Sequence, residues 1–461
     1  MTEKLTTIDE TLDKIYSYVD YSMTHMENLS STIFTLKKIS ALLEKDENPQ
    51  NCYPCIHIAG TKGKGSTCAL IASALQESGM KVGLYTSPHL VRFNERIQIN
   101  GKMIPDDDII RITNQLIDLI DPAAPVSSFE LMTAIAFEYF RQQKVDFAVI
   151  ETGLGGRLDA TNVIIPVLSV ITSISIDHTN FLGNTIAEIA GEKAGIIKSG
   201  IPVITESQKP EAIEVIRKIA QSKNSELIEI DQAYRYINAS DNPLGQDILI
   251  WEIKQQNQMN LWLRRNTNVD WYPWSCHISL AGFHQLQNAV TAYAALIKIK
   301  SLGYKIEKNQ IAKGFSHTYW PCRFDTIWQK PLVIIDGAHN EDSMLKLMTV
   351  VNRYYGTRKI TCIFGASADK KCREMIKIIA PNVENFIVTR STHPRAAQPS
   401  VLADMVLETG RKCLITDSIE QAWGLVLKSE EDRVFIVTGS LFVTAGFWKL
   451  SGKSDQIEGD K

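Results

Sequence analysis

The sequence predicts two α/β domains, and three observations carry that prediction. Short continuous apolar runs alternate with amphipathic helical stretches along most of the chain, the pattern of parallel strands covered by helices. A glycine-rich turn, Gly60-Thr-Lys-Gly-Lys-Gly-Ser66, falls between one such run and a helix. The alternation breaks between residues 230 and 280 and starts afresh beyond residue 320.

At 461 residues the chain is long enough for two or three domains. With 44% hydrophobic residues and a net charge of −3, it has the composition of a soluble globular protein. That balance supplies no global attraction to nucleic acid or to an anionic membrane. Glu3, Asp9 and Glu10 sit where a signal peptide would be basic and then apolar. No apolar run approaches the roughly 18 residues a membrane span needs, so a cytoplasmic protein is expected. Eight cysteines are too sparse for a disulfide framework. Cys52 and Cys55 read as two reduced cysteines ahead of a strand.

The first fifty residues read as helices, with Ile33, Leu36, Ile39, Leu42 and Leu43 on one face. A strand at Ile56–Ala59, the glycine-rich turn, a helix over 66–76 and a strand at Val82–Thr86 make a β-loop-α-β unit. Strands follow at Phe147–Glu151, Val167–Thr172 and Pro202–Thr205, with a helix at 185–197 before the last. Residues 230–280 carry Trp251, Trp262, Trp271 and Trp274 among β-favouring residues and read as a small antiparallel insertion packed by those rings. A helix over 285–302 precedes Trp320-Pro-Cys-Arg-Phe324. Beyond it lie strands at Leu332–Ile335, Ile360–Phe364, Phe386–Val388, Cys413–Thr416 and Val434–Val437. The predicted boundary gives domains of 1–320 and 321–461 with a ligand-binding cleft between them.

The strand-loop-helix setting marks Gly60–Ser66 as a phosphate loop. Glycines let backbone amides turn inward, Lys64 adds a charge, and the helix N-terminus favours an anion. Gly65 intervenes between Lys64 and Ser66, unlike the common phosphate-loop spacing. Such a loop grips β- and γ-phosphates, which predicts ADP and phosphate as products. Ser87, Glu151 and His178 stand at or beyond strand ends, where α/β enzymes gather their chemistry. A hydroxyl, a carboxylate and an imidazole beside phosphates suit Mg²⁺, although imidazole is an uncommon ligand for it and His178 reads equally well as a core or capping residue.

These blocks carry a resemblance. His57–Ser66, Tyr85-Thr-Ser-Pro-His-Leu90, Phe93-Asn-Glu-Arg96, Glu151–Asn162, Asp177-His178 and Gly191-Glu-Lys-Ala-Gly195 resemble the folylpolyglutamate synthase/dihydrofolate synthase family of the Mur-ligase group. Phe283–Ala289, Asp336-Gly-Ala-His-Asn340 and Thr438-Gly-Ser440 continue it in the same order. The resemblance implies a P-loop ATPase domain with a mostly parallel sheet and a smaller, Rossmann-like C-terminal domain. It implies an ATP-dependent ligase that joins L-glutamate to a folate or dihydropteroate carboxylate through an acyl phosphate. By resemblance, Gly63, Lys64, Gly65 and Ser66 hold ATP phosphates, with Asn288, Arg323 and Asp336 contacting nucleotide. Ser87 and Glu151 would hold one Mg²⁺, and Glu151 and His178 a second. Lys193 matches a lysine carbamylated by CO₂. Phe129, Glu130, Leu158, Asp159 and Ala160 fall where the pterin-bearing substrate binds, and His339 and Ser440 near the incoming glutamate. His339 is a candidate base for the amine, with Asp336 orienting it. Members of the family are commonly monomers.

One departure stands out: the family's usual Pro-Gly-Arg hinge is Pro321-Cys322-Arg323 here, and a positive φ at Cys322 would be strained. The alternatives are a cell-wall ligase, against which Gly65 argues, and an ATP-driven switch, against which Asp336-Gly-Ala-His339 argues. Asp106–Asp108 reads as charge at a helix N-terminus. His25, His277, His317 and His393 receive no role.

Overall fold

The computed structural model describes residues 4–18, 35–264 and 270–454, so Ile33 and His25 lie outside the described residues. The expected helical face continues in the helix Lys37–Lys45, which buries Ile39, Leu42 and Leu43.

The first sheet has eight strands: β1 (Cys55–Ala59), β2 (Val82–Tyr85), β3 (Ile97–Ile99), β4 (Lys102–Met103), β5 (Phe147–Glu151), β6 (Leu168–Ile171), β7 (Val203–Thr205) and β8 (Leu227–Glu229). Their spatial order is β4-β3-β2-β5-β1-β6-β7-β8. From β2 to β8 neighbours pair in parallel, and β1, β2, β5, β6 and β7 are buried at every residue. The β3–β4 hairpin adds an antiparallel edge that the sequence reading passed over. Its signal was present: Ile97 and Ile99 alternate with Gln98, and Asn100-Gly101 turns with φ of 49° and 75°.

β9 (Tyr234–Asn242), β10 (Gly245–Glu252) and β11 (Trp274–Ile278) form a three-stranded antiparallel sheet. Its inward residues Ile248, Ile250, Cys276 and Ile278 join the core around the helices Lys64–Glu77 and Phe283–Ser301. Trp274 stacks on Tyr293 with centroids 4.3 Å apart, and Trp251 is buried. The sheet is therefore a wall of the main core rather than an appendage.

The second large sheet comprises β12 (Asp325–Gln329), β13 (Leu332–Ile335), β14 (Ile360–Phe364), β15 (Asn385–Val388), β16 (Lys412–Ile415) and β17 (Val434–Thr438), in the order β12-β13-β17-β14-β15-β16. Only β12 runs antiparallel. Half-exposed and barely apolar, β12 gave no buried-strand signal in the sequence. The 320 segment joins the two large sheets, and β9 of the three-stranded sheet meets the helix Glu341–Tyr355, where Asp241 accepts hydrogen bonds from Arg353 and, at 2.6 Å, from the Tyr354 hydroxyl. Among the described residues no helix is long and apolar enough to cross a membrane.

Behind the first sheet two carboxyls share a buried site. Asp46 and Glu138 are 4% and 1% exposed; Gln115 bonds to them at 2.8 and 3.3 Å, and Arg141 lies 2.6 Å from Glu138. Burial, then the Glu138 charge, pushes the Asp46 carboxyl up to about 6. A raised acid pKa makes the native state bind more protons than the unfolded chain above pH ~4, so this contribution is lost as pH rises toward 6. Urea unfolding at pH 4 and pH 6.5 is expected to show this loss in the wild type, and Asp46→Asn to reduce it by on the order of 1 kcal/mol.

Candidate active site

The phosphate loop leaves β1 and turns directly into the helix Lys64–Glu77, two residues earlier than the sequence pattern suggested. The turn is made at Gly63, with φ of 89°, a conformation that L side chains resist. A Cβ there would lie 2.2 Å from Asn288 Oδ1, so Asn288 reaches the loop from the helix Phe283–Ser301. Gly65 has an equally local cause: a Cβ would meet the Trp320 indole at 2.9 Å. The additional glycine thus admits the ring that leads into the second domain. Thr61 and Lys62 donate their amides to the Ser173 carbonyl at 2.8 and 3.2 Å, which fixes the loop against the end of β6. Ser66 is buried in the first helical turn.

Strand order explains what surrounds the loop. β1 lies between β5 and β6, and β2 is next beyond β5, so residues at the ends of β2, β5 and β6 converge on the loop after β1. Glu151, the last residue of β5, accepts the Ser87 amide at 3.3 Å and lies 3.8 Å from Lys64 Nζ. Burial raises its pKa while Lys64 opposes the shift. Lys193, 4% exposed, donates from Nζ to the Gly60 carbonyl at 2.8 Å. Burial first, then the charge of Lys64, pushes its ammonium down to about 7. His178 has φ of 51° at the start of a short helix. Its side chain is 52% exposed; partial desolvation, reinforced by Lys370, Lys64 and Lys193 against the pull of Asp177, lowers its imidazole to about 4.

The second domain contributes the other wall. Cys322 does take a positive φ, 57°, and is fully buried among Val333, Ile335, Phe447 and Trp448. Close apolar packing holds the strained residue in place. Arg323 follows it, and its charge reaches Glu151 and Asp336. The buried Asp336 carboxylate accepts the amides of Phe324 and Ala338, each at 2.9 Å. It therefore braces the hinge and does not orient His339, as had been expected. That ring is oriented by the Gly337 carbonyl, 2.8 Å from Nδ1, and its Nε2 lies 3.3 Å from Lys62 Nζ. Burial, then the Lys62 charge, lowers His339 to about 3, which makes it a poor proton acceptor at neutral pH. Ser440 caps the helix Leu441–Leu450, accepting the Phe442 amide at 3.2 Å.

The proposed substrate residues divide. Asp159 is buried, accepts the Leu154 amide at 2.7 Å, and its charge reaches both Glu151 and Lys193. Ala160 is buried beside it, and Leu158 is half-buried. The Phe129 ring stands where a Cβ on Gly153 would lie, 2.3 Å from its tip, just past Glu151. Glu130 instead closes a capping box with Ser127, accepting that amide at 2.7 Å. None of these five lines the main cleft of about 320 Å³, whose walls include Ser87, Glu151, Trp320, Arg323 and Leu441. Sequence reasoning passed over Lys62, which pairs with Asp177 at 3.0 Å, and Trp320. A second lysine in the loop was the visible signal for the first; nothing local announces the second.

Two family descriptions match the chain: the Mur ligase middle domain over residues 58–296 and the Mur ligase glutamate ligase domain over 322–441. The dihydrofolate synthase/folylpolyglutamate synthase of Bacillus subtilis is 36% identical over 88% of this chain and 92% of its own length. The folylpolyglutamate synthase of Lacticaseibacillus casei is 34% identical over 91% and 95%. The structure of E. coli FolC in complex with DHPP and ADP superposes with a TM-score of 0.82 at 25% identity, covering 98% of this chain and 100% of that one.

The loop geometry gives a direct test. Gly63→Ala places a methyl group against Asn288 in a left-handed turn, and ADP affinity measured by calorimetry is expected to fall at least about tenfold, with a lowered thermal midpoint that reports the strain of the turn.

Proposed function

Because the chain belongs to the folylpolyglutamate synthase/dihydrofolate synthase family of Mur ligases, we propose that it uses ATP to join L-glutamate to the carboxylate of a folate or of dihydropteroate. The observation that carries this reading is the meeting of the phosphate loop, Glu151 and the buried Lys193 at the cleft between the domains.

The substrate carboxylate attacks the γ-phosphorus of ATP, ADP leaves, and an acyl phosphate forms. The amine of glutamate then attacks the acyl carbon, the C–N bond forms as the acyl C–O bond breaks, phosphate departs, and the proton lost from nitrogen passes to it or to solvent. Amides at the start of the helix Lys64–Glu77 and the Lys64 ammonium hold the phosphates in line. Asn288 packs against the loop beside Gly63, and Arg323 brings a second cation from the hinge.

Among the described residues no three His, Cys, Asp or Glu side chains gather to hold a metal unaided. That suits Mg²⁺, which takes few protein ligands and completes its shell with phosphate oxygens and water. Ser87 and the Glu151 carboxylate would supply hard oxygen donors to one ion beside the loop, and Glu151 and the His178 ring would hold a second. Bound there, such ions would supply neutralisation of charge on the transferring phosphoryl group.

Lys193 supports one further feature of the reading. With its ammonium lowered to about 7, a large fraction is free amine at neutral pH. That amine can attack CO₂ and lose a proton, giving a carbamate anion that removes the repulsion from Lys64. By resemblance Phe129, beside Gly153 and just beyond Glu151, would meet the pterin-bearing acid, whereas the Asp159 carboxylate is taken up by the Leu154 and Thr161 amides.

Phosphate release is to be measured with ATP and either dihydropteroate or a reduced folate, with and without L-glutamate. Turnover is expected to require both the acid and glutamate, and the acids accepted assign one activity or both; glutamate-independent turnover with every acid would refute the proposal. Lys193→Ala is expected to lower turnover at least about 100-fold. Wild-type enzyme stripped of CO₂ is expected to lose activity and recover it when CO₂ is restored, whereas the variant does not respond.

A further inference from the structure

The glycine-rich loop carries two lysines whose side chains leave in different directions. Lys64 turns toward Glu151 at 3.8 Å. Lys62 turns toward the other domain, donating to Asp177 Oδ2 at 3.0 Å and lying 3.3 Å from His339 Nε2. The hydrogen positions on that histidine follow from its partners. Gly337 offers only a carbonyl oxygen to Nδ1, at 2.8 Å, so Nδ1 carries the proton and the neutral ring presents a lone pair at Nε2. An ammonium group is a donor that fits it.

Both ends of this chain of bonds are anchored. The Lys62 amide is held by the Ser173 carbonyl at 3.2 Å. His339 belongs to the segment that begins at Asp336 and caps the helix Glu341–Tyr355 through Asn340. The side chains are screened from solvent, Lys62 being 18% and Asp177 11% exposed. Lys62 Nζ and Asp177 Oδ2 stand 3.0 Å apart in this screened setting, close enough for one charge-assisted hydrogen bond. Lys370 of the second domain adds its positive field to the same junction.

We infer that Lys62 is a positioning residue for the amino-acid half of the reaction, tying the phosphate loop of the first domain to His339 of the second through the chain Asp177–Lys62–His339. This deepens the ligase reading and rests on it. Lys62 does not grip phosphate; its ammonium is committed to a carboxylate and an imidazole. The loop, seated by nucleotide, sets the position of His339 and with it the place where glutamate is received. His339 acts as a fixed wall of that place, its Nε2 lone pair already used.

The test uses the full-length enzyme and the variants Lys62→Met, Lys62→Arg, His339→Gln and the double variant Lys62→Met/His339→Gln. ADP dissociation constants are measured by calorimetry, and KM for L-glutamate and kcat from phosphate release. Loss of a charge-assisted hydrogen bond predicts a rise of about tenfold or more in KM for glutamate in Lys62→Met, with ADP affinity within about twofold of wild type. Lys62→Arg is expected to recover most of the loss, and the double variant to have a glutamate KM no higher than that of His339→Gln. A tenfold loss of ADP affinity with glutamate KM unchanged would make Lys62 a phosphate ligand and overturn the inference, as would additive effects in the double variant. Thermal midpoints identify a variant that fails to fold; should Lys62→Met do so, His339→Gln must still raise glutamate KM selectively, and an unchanged value overturns the inference. If the wild-type enzyme releases no phosphate in response to glutamate, the ligase reading fails first and separately.

Discussion

Three lysines converge on one glycine-rich turn: Lys62 and Lys64 within it and Lys193 against its first carbonyl. Bringing three ammonium groups into a buried cleft is unfavourable unless each finds a partner or gives up its proton. The protein uses both solutions. Lys64 has Glu151, Lys62 has Asp177, and Lys193 is lowered to about 7 by burial and by Lys64. Arg323 and Lys370 bring further positive charge to the same junction, and the surrounding structure is arranged to keep these groups in place.

That arrangement depends on rigid supports rather than on the loop alone. Asn288 fills the space beside Gly63, Trp320 fills the space beside Gly65, and Ser173 takes two loop amides. Each support comes from a different part of the chain, so the loop is held by the first core, by the hinge and by the neighbouring strand at once. The hinge is itself constrained: Cys322 and Phe324 both adopt positive φ, and Asp336 receives the Phe324 and Ala338 amides. A cysteine in place of the family's glycine adds backbone strain, and the buried apolar pocket around its side chain offsets it.

The fold class was readable because parallel strands buried on both faces are continuous apolar runs. Cys55–Ala59, Phe147–Glu151 and Ile360–Phe364 are such runs, and each lies where the pattern placed it. The strands passed over are those that pattern does not describe. β3 alternates over three residues, and β12 is a half-exposed edge that among the described residues pairs only with β13. Side-chain roles divide in the same manner. Glu130 belongs to a recognised motif region yet spends its carboxylate on a helix cap, and Asp336 spends its own on two backbone amides rather than on His339.

By itself the sequence determined the alternation of strands and helices, the phosphate loop and the carboxylate that ends β5, because local periodicity and glycine placement encode them. Only the tertiary structure decided that Gly65 makes room for Trp320, that His339 gives its lone pair to Lys62, and that Lys193 sits dry enough to lose its proton near neutrality. These depend on contacts between residues more than a hundred positions apart and on the depth of burial where they meet. Strand order and domain docking set both.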